Sequence, residues 1–304
     1  MALAPRTAGH LAMLTFSLLV AGSFSLGALV ANDIPPVAIT AARFLLAAVI
    51  LGALAAVAGP GLRAAHLAAP WRYLFLGATF GAYFVLMFEG LKTAPPVSMS
   101  AVFTLTPVMS ALFGWLLLRQ VTTPRMAAAL AIGAAGALWV IFRADLGLLL
   151  AFAVGRGEAL FFLGCVAHAV FTPLLARLNR GEPALVSTAL VTAGGFLALA
   201  AWGWRDLLAT PWMELSPMVW GTLLYLAIFA SAVTFMLLRF AALRLPSAKV
   251  MAYTYLTPTW VIAWEVGLGH GVPPALVLPG IGLTALALVI LLKDEDVAQA
   301  ARQV

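Results

Sequence analysis

The sequence predicts an all-α integral membrane protein with ten transmembrane helices, arranged as two inverted five-helix repeats. Three observations carry this expectation. Of the 304 residues, 64% are hydrophobic and 9% charged, far outside the composition of soluble domains. Ten stretches reach spanning length with almost no charge, at about 11–31, 37–58, 71–89, 96–118, 124–142, 157–176, 184–203, 216–238, 248–267 and 272–292. The tripeptide Leu105-Thr106-Pro107 recurs as Leu256-Thr257-Pro258, a spacing of 151, inside the fourth apolar stretch of each half. Five segments per copy is an odd number, so the second copy must cross the bilayer in the opposite sense to the first. Inverted repeats of this kind are a hallmark of secondary transporters.

The first segment is too long for a signal-peptide core and lacks a small-x-small cleavage site, so it reads as a retained helix. Pro35-Pro36, Pro95-Pro96 and Pro273-Pro274 mark turns, whereas Pro107, Pro173 and Pro258 lie inside spans. A proline within a span removes a backbone hydrogen bond, which lipid tolerates only where protein or water satisfies the freed carbonyl. Pro107 and Pro258 are therefore expected to be paired bends, the hinges of the molecule; the alternative is that they are relics of duplication. Gly9, Pro35 and Thr40 match Gly157, Pro183 and Thr188 at a spacing of 148, and Pro95 matches Pro246 at 151. These matches divide the chain into a first repeat over 1–145, a linker over 146–156 and a second repeat over 157–304. Leu146–Val154 is apolar but too short to span, and is expected to lie along the external interface. Ala129, Gly133 and Gly136 on segment five, and Gly280, Gly282 and Thr284 on segment ten, suit close helix contact in a peripheral or dimerising role.

A net charge of +6 invites a nucleic-acid reading, which the placement of the charges rejects. With the amino terminus inside, twelve of the 17 Lys/Arg (Arg6, Arg63, Arg72, Arg119, Arg125, Arg177, Arg180, Arg239, Arg244, Lys249, Lys293, Arg302) fall on the internal side, and four (Lys92, Arg143, Arg156, Arg205) outside. That bias predicts cytoplasmic termini. The single Cys165 excludes a disulfide or a thiolate metal cluster and reads as a packing residue.

Pro35-Pro36 followed by Ala42-Arg43-Phe44, with the two Leu-Thr-Pro runs, resembles the drug/metabolite transporter superfamily of EamA type. The likeness spans essentially the whole chain. It implies a ten-helix exporter of amino acids and related metabolites in the bacterial inner membrane. The run 254–260, Thr-Tyr-Leu-Thr-Pro-Thr-Trp, and the later Glu265 look most similar to the branch that exports aromatic amino acids. Many relatives carry a glutamate at the end of the fourth helix of each half. Here those places hold Arg119-Gln120 and His270-Gly271, so no role of that glutamate carries over.

Ionisable groups within spans suggest function, because inserting one costs about 2.5–3.5 kcal/mol. Arg43 has two readings: an anchor for a substrate carboxylate, or a structural arginine snorkelling or bonding helix-end carbonyls. Glu89 and Lys92 read as an interfacial ion pair. His168 and Glu265 are candidates for proton coupling, set against structural or interfacial roles. Tyr253, Thr257, Trp260 and Trp264 recur at helical spacing as one stripe. Phe80, Tyr83, Phe103, Thr106 and Tyr225 could join it across an aromatic-walled binding cavity, or could simply pack.

Enzyme motifs are absent: there is no H-E-x-x-H, no phosphate-binding lysine loop and no G-x-S-x-G. Neither a cofactor nor a metal is expected, and ATP-driven pumping on this chain is excluded. Channel-type rings of charge are not evident, and a sugar-phosphate carrier would need more buried cations than Arg43 supplies. The expectation is a secondary exporter of aromatic and other neutral amino acids, with cationic or aromatic drugs as the alternative cargo. Its partners would be a small-molecule substrate and the bilayer, not nucleic acid, and it would act as a monomer or homodimer.

Overall fold

In a computed structural model, the structure describes residues 5–59, 61–119, 121–151, 153–242 and 252–300. In chain order its α-helices are α1 (Pro5–Val30), α2 (Pro36–Ala58), α3 (Trp71–Leu91), α4 (Pro96–Phe103), α5 (Thr106–Leu118), α6 (Pro124–Ile141) and α7 (Leu146–Leu150). They continue as α8 (Arg156–Leu178), α9 (Ala184–Trp202), α10 (Trp204–Ala209), α11 (Pro217–Ala227), α12 (Thr234–Ala242), α13 (Thr257–Gly267) and α14 (Leu278–Ala300). Among the described residues nine helical stretches are long and apolar enough to cross a membrane. The remaining apolar segment, segment nine, enters the described residues at Ala252, through a 3₁₀ turn at Tyr253–Leu256 that leads into α13; its beginning, with Pro246 and Lys249, lies outside them. The chain is thus an all-helical membrane protein of two five-segment halves.

Segments four and nine are not single bent helices. Segment four splits into α4 and α5 at Thr104-Leu105, and segment nine enters α13 from its 3₁₀ turn. Each proline sits at the second position of the new helix. There its missing N–H would have had no helical partner, and the clash of its ring with the residue four back is avoided. The peptide groups before each break close short turns instead, as Leu105 does on Val102 O at 3.0 Å. Segment eight also departs from a plain helix, because a π-helical turn at Ile228–Val233 joins α11 to α12.

The duplication persists in detail. Pro35 and Pro183 precede α2 and α9, and the hydroxyls of Thr40 and Thr188 donate to Pro36 O and Ala184 O, each at 2.7 Å. After its break, each fourth segment packs on the opening helix of the other half: α5 on α8, and α13 on α1. Helices α6 and α14 pair at the periphery, and a Cβ on Gly136 would lie 2.9 Å from Leu283 Cβ and close on Gly280 O. Gly136, Gly280 and Thr284 therefore meet one another within the chain, whereas Gly133 faces the Tyr255 ring and Gly282 has nothing within 4 Å.

One contact breaks the symmetry. Helix α3 lies along α9, where Gly77 and Gly195 let the two backbones touch. Its counterpart α12 leaves α2 and rests on α1. Where the α8–α9 connection meets α3, Arg72 and Glu182 form a buried ion pair, Nη2 to Oε1 at 2.7 Å, while Arg72 Nη1 donates to Leu178 O at 2.6 Å. Burial alone would raise the Glu182 carboxyl. Hydrogen bonds from Arg72, from the backbone N–H groups of Arg180 and Glu182, and from Tyr73 outweigh it and hold the group at about 2.

Two predictions follow from these contacts. At Gly77 an added Cβ would overlap the backbone of Val191 and Gly195, whereas at Gly221 nothing lies within 4 Å. Gly77→Ala is expected to lower stability by about 1–3 kcal/mol, and Gly221→Ala is expected to change little, both read by thermal unfolding in detergent. At Glu182 the folded carboxyl titrates below its unfolded value, so the unfolded chain binds more protons between the two. The pair's contribution is complete above about pH 5 and falls as the pH drops toward 2, by about 2 kcal/mol between pH 5 and pH 3. Glu182→Gln should remove that part of the slope from the unfolding temperature measured across the same range.

Candidate functional site

A cavity of about 180 Å³ lies between the two halves, lined from α1, α2, α3, α4, α8, α9, the π turn, α12 and, through Thr254, the 3₁₀ turn of segment nine. The lining reaches Met13 early in α1, Leu51 late in α2, Leu175 at the end of α8 and Leu238 late in α12. All four positions belong to the face that carries the termini. Toward the opposite face the lining stops at Phe24, Phe84, Met87 and Phe103. Beyond them, packed side chains including Ile34, Phe88 and Leu91 close the molecule. A wider hollow of about 640 Å³ on that far face is bordered by Asp33, Glu89, Lys92 and Asp206, with Glu89 and Lys92 paired at 2.7 Å.

Among the described side chains of the lining, Arg43 is the cation with a fixed charge, and it is 1% exposed. Its Nε donates to Ser231 Oγ and its Nη2 to Ala230 O, both at 2.9 Å, while Nη1 makes no hydrogen bond within the protein. The guanidinium carbon stands 3.7 Å from the centre of the Phe84 ring, a cation–π contact strengthened by exclusion from water. The π turn is what makes this arrangement possible. Its i→i+5 pattern loosens the carbonyl ladder, and the Ala230 carbonyl is turned to the guanidinium. Ser231, which also donates to Leu226 O at 2.8 Å, orients its lone pairs toward Nε. Arg43 thus spans the gap where α12 has left α2, and it does so as a buried, hydrogen-bonded residue rather than by snorkelling.

His168 sits in a group of rings. Its centroid lies 4.7 Å from Tyr83, 5.8 Å from Phe80, 5.9 Å from Phe103 and 6.3 Å from Phe171. Phe80 stacks on Phe171 at 4.7 Å and meets Phe84 edge-on at 4.9 Å, so the rings run unbroken from His168 to Arg43. The buried Nδ1 of His168 has no hydrogen-bond partner in the protein. Of the residues singled out in the sequence, Arg43, Phe80, Tyr83, Phe103 and His168 meet at this cavity.

The segment-nine stripe is continuous but faces α1 instead. Trp260 donates to Ser17 Oγ at 2.9 Å, Trp264 to Leu18 O at 3.2 Å, and Tyr225 to Leu19 O at 2.9 Å. A Cβ at Gly22 would collide with Tyr225, so that glycine is the notch that seats these rings. The Tyr253 hydroxyl pairs with His10 Nδ1 at 2.8 Å. Thr106 and Thr257 are buried at the first positions of α5 and α13, beside Pro107 and Pro258. Glu265 pairs with His270 Nδ1 at 2.9 Å at the far end of α13, away from the cavity. Sequence reasoning missed Phe44, Phe84, Phe171, Thr192 and Ser231 in the lining. The i,i+4 pair Thr188 and Thr192 was the available signal, whereas Ser231 and Phe84 are ordinary residues of apolar spans.

Comparison with known proteins agrees with this architecture. The model of the EamA-like transporter family matches twice, over residues 7–142 and 155–293. The chain belongs to the EamA-like transporter family. It is similar to the uncharacterized transporter YyaM of Bacillus subtilis (strain 168), at 23% identity over 266 residues, which cover 85% of this chain and 86% of that protein. One crystal structure superposes with a TM-score of 0.68 at 22% identity, covering 94% of this chain and 96% of the other; at that identity the likeness is one of fold. The family's double match coincides with the two five-segment halves, and the cavity of this EamA-like transporter lies between them.

The direction in which the cavity reaches is testable by labelling in a Cys165→Ala background. Thr188→Cys, in the lining, is expected to react with a water-soluble maleimide added from the face that carries the termini. Ser98→Cys, equally buried but outside the lining, where the native hydroxyl meets Glu158 Oε1 at 2.8 Å, is expected to stay unlabelled from either face, as read by mass spectrometry.

Proposed function

We propose that this EamA-like protein is a secondary transporter that exports aromatic and other neutral amino acids and related small metabolites by alternating access. In this reading the protein crosses the inner membrane of a bacterial cell with both termini in the cytoplasm, which the positive-inside bias of its Lys and Arg residues supports. The observation that carries the reading is the cavity between the repeats, lined by Arg43 and a set of rings, reaching toward one face and sealed on the other. The positive-inside bias makes the reached face cytoplasmic, as an exporter waiting for cargo requires. Arg43 anchors the substrate carboxylate, and Phe80, Tyr83, Phe103 and His168 hold its side chain by stacking.

Alternating access needs a second arrangement in which the contacts of the two repeats exchange. In it α12 closes on α2 while α3 parts from α9, with the breaks ahead of Pro107 and Pro258 as the flexing points. His168 is the cavity residue suited to carrying a proton, since Glu265 is engaged with His270. Tyr225, Tyr253, Thr257, Trp260 and Trp264 act in this scheme by coupling segments eight and nine to α1, and Thr106 by seating the start of α5.

Uptake of labelled phenylalanine into liposomes reconstituted with the pure protein tests the reading. Saturable flux is expected, reduced at least about tenfold by Arg43→Gln through loss of a charged hydrogen bond. Stimulation by a pH gradient, abolished in His168→Ala, would assign coupling to that residue. Absence of flux for every aromatic, aliphatic and basic amino acid would overturn the amino-acid assignment.

A further inference from the structure

The charge balance of the cavity narrows its cargo beyond the amino-acid reading. Arg43 is buried, remains charged, and leaves Nη1 without a hydrogen-bond partner in the protein. A buried cation without a counter-ion is strongly unfavourable unless something supplies the charge. Its two protein acceptors, Ser231 Oγ and Ala230 O, are neutral.

The chain has eleven acidic residues, and none of the eight whose side chains the structure describes lines the cavity. Glu89, Glu182 and Glu265 are paired with Lys92, Arg72 and His270. Glu158 accepts from Ser98, Asp145 caps α7, Asp33 and Asp206 border the far hollow, and Glu214 lies in the turn before α11. Asp294, Glu295 and Asp296 follow the last apolar turn of α14, and the stretches outside the described residues contain no Asp or Glu.

We propose that the preferred cargo is a small aromatic or branched monocarboxylate lacking an ammonium group, whose carboxylate supplies the counter-charge to Arg43 while its apolar body stacks along Phe84, Phe80 and His168. This rests on the transporter reading and ranks its cargoes, placing the related carboxylate metabolites ahead of the amino acids themselves. A zwitterionic amino acid brings the same carboxylate together with an ammonium for which the cavity has no anion. The hydroxyls of Thr188, Thr192 and Thr234 donate to carbonyls of their own helices and offer an ammonium only neutral lone pairs. One guanidinium balances one negative charge, so a dianion such as a phosphate monoester is also disfavoured. An amine or cationic drug would meet an uncompensated like charge.

Three probes share one ring and chain and differ only in charge: 3-phenylpropanoate, L-phenylalanine and 2-phenylethylamine. Their binding to the detergent-purified full chain is read by tryptophan fluorescence, and their flux in proteoliposomes. The acid is expected to bind at least about tenfold more tightly than phenylalanine, and the amine neither to bind nor to compete. Arg43→Gln is expected to erase this order, and Arg43→Lys, which keeps the charge without the fork, to keep the order with weaker binding. Should Arg43→Gln fail to fold, the wild-type series decides alone. Phenylalanine or the amine binding as tightly as the acid would overturn the proposal. Binding in the expected order with no flux of any probe would instead overturn the transport reading and leave the ligand assignment standing.

Discussion

A peptide group that loses its helical partner inside a bilayer finds no water, so irregular backbone survives there only where protein surrounds it or a cavity adjoins it. This constraint organises the molecule. The two breaks ahead of Pro107 and Pro258, and the π turn at Ile228–Val233, lie in segments that pack around the centre. Thr104 and Tyr255, at the breaks, are fully buried. Once irregular backbone is confined to the protein interior, it becomes a means of building a site. The π turn hands a carbonyl to Arg43, and the broken fourth and ninth segments let each half of the chain grip the opening helix of the other.

The duplication supplies the frame, and its departures supply the chemistry. Glycines close α3 onto α9, while in the other half the equivalent junction is opened and spanned by a guanidinium. A small-residue contact is short-ranged and holds the backbones together over several turns. A hydrogen-bonded arginine holds at arm's length and leaves room beside it. The cavity adjoins that opened junction, with Arg43 on one side of it and the rings of α3, α4 and α8 on the other.

The two buried arginines are satisfied in different ways. Arg72 and Glu182 satisfy one another at the membrane edge, with backbone groups completing both, so that pair fastens the α8–α9 connection to α3. Arg43 has only neutral protein partners, and the N–H groups of its Nη1 are unmatched within the protein. In a low-dielectric interior the difference is large, and it separates an arginine whose charge a carboxylate matches from one whose described partners are all neutral.

Composition, ten apolar segments, an odd count per repeat and the Leu-Thr-Pro recurrence determined the membrane class, the helical fold, the repeat structure and the family likeness. These are properties of hydrophobic length and periodicity, which any single stretch of chain carries. Five of the proposed site residues were also legible, because an arginine, a histidine and clustered aromatic rings stand out in an apolar span. Only the tertiary structure decided that the Trp260 and Trp264 stripe serves α1 rather than the cavity, since a helical stripe specifies a face but not what it meets. It likewise decided that Arg72 belongs with Glu182 across 110 residues, and that Arg43 is held by a π turn on another helix. Such pairings depend on how helices cross and where a backbone opens, and neither is written in the local pattern of residues.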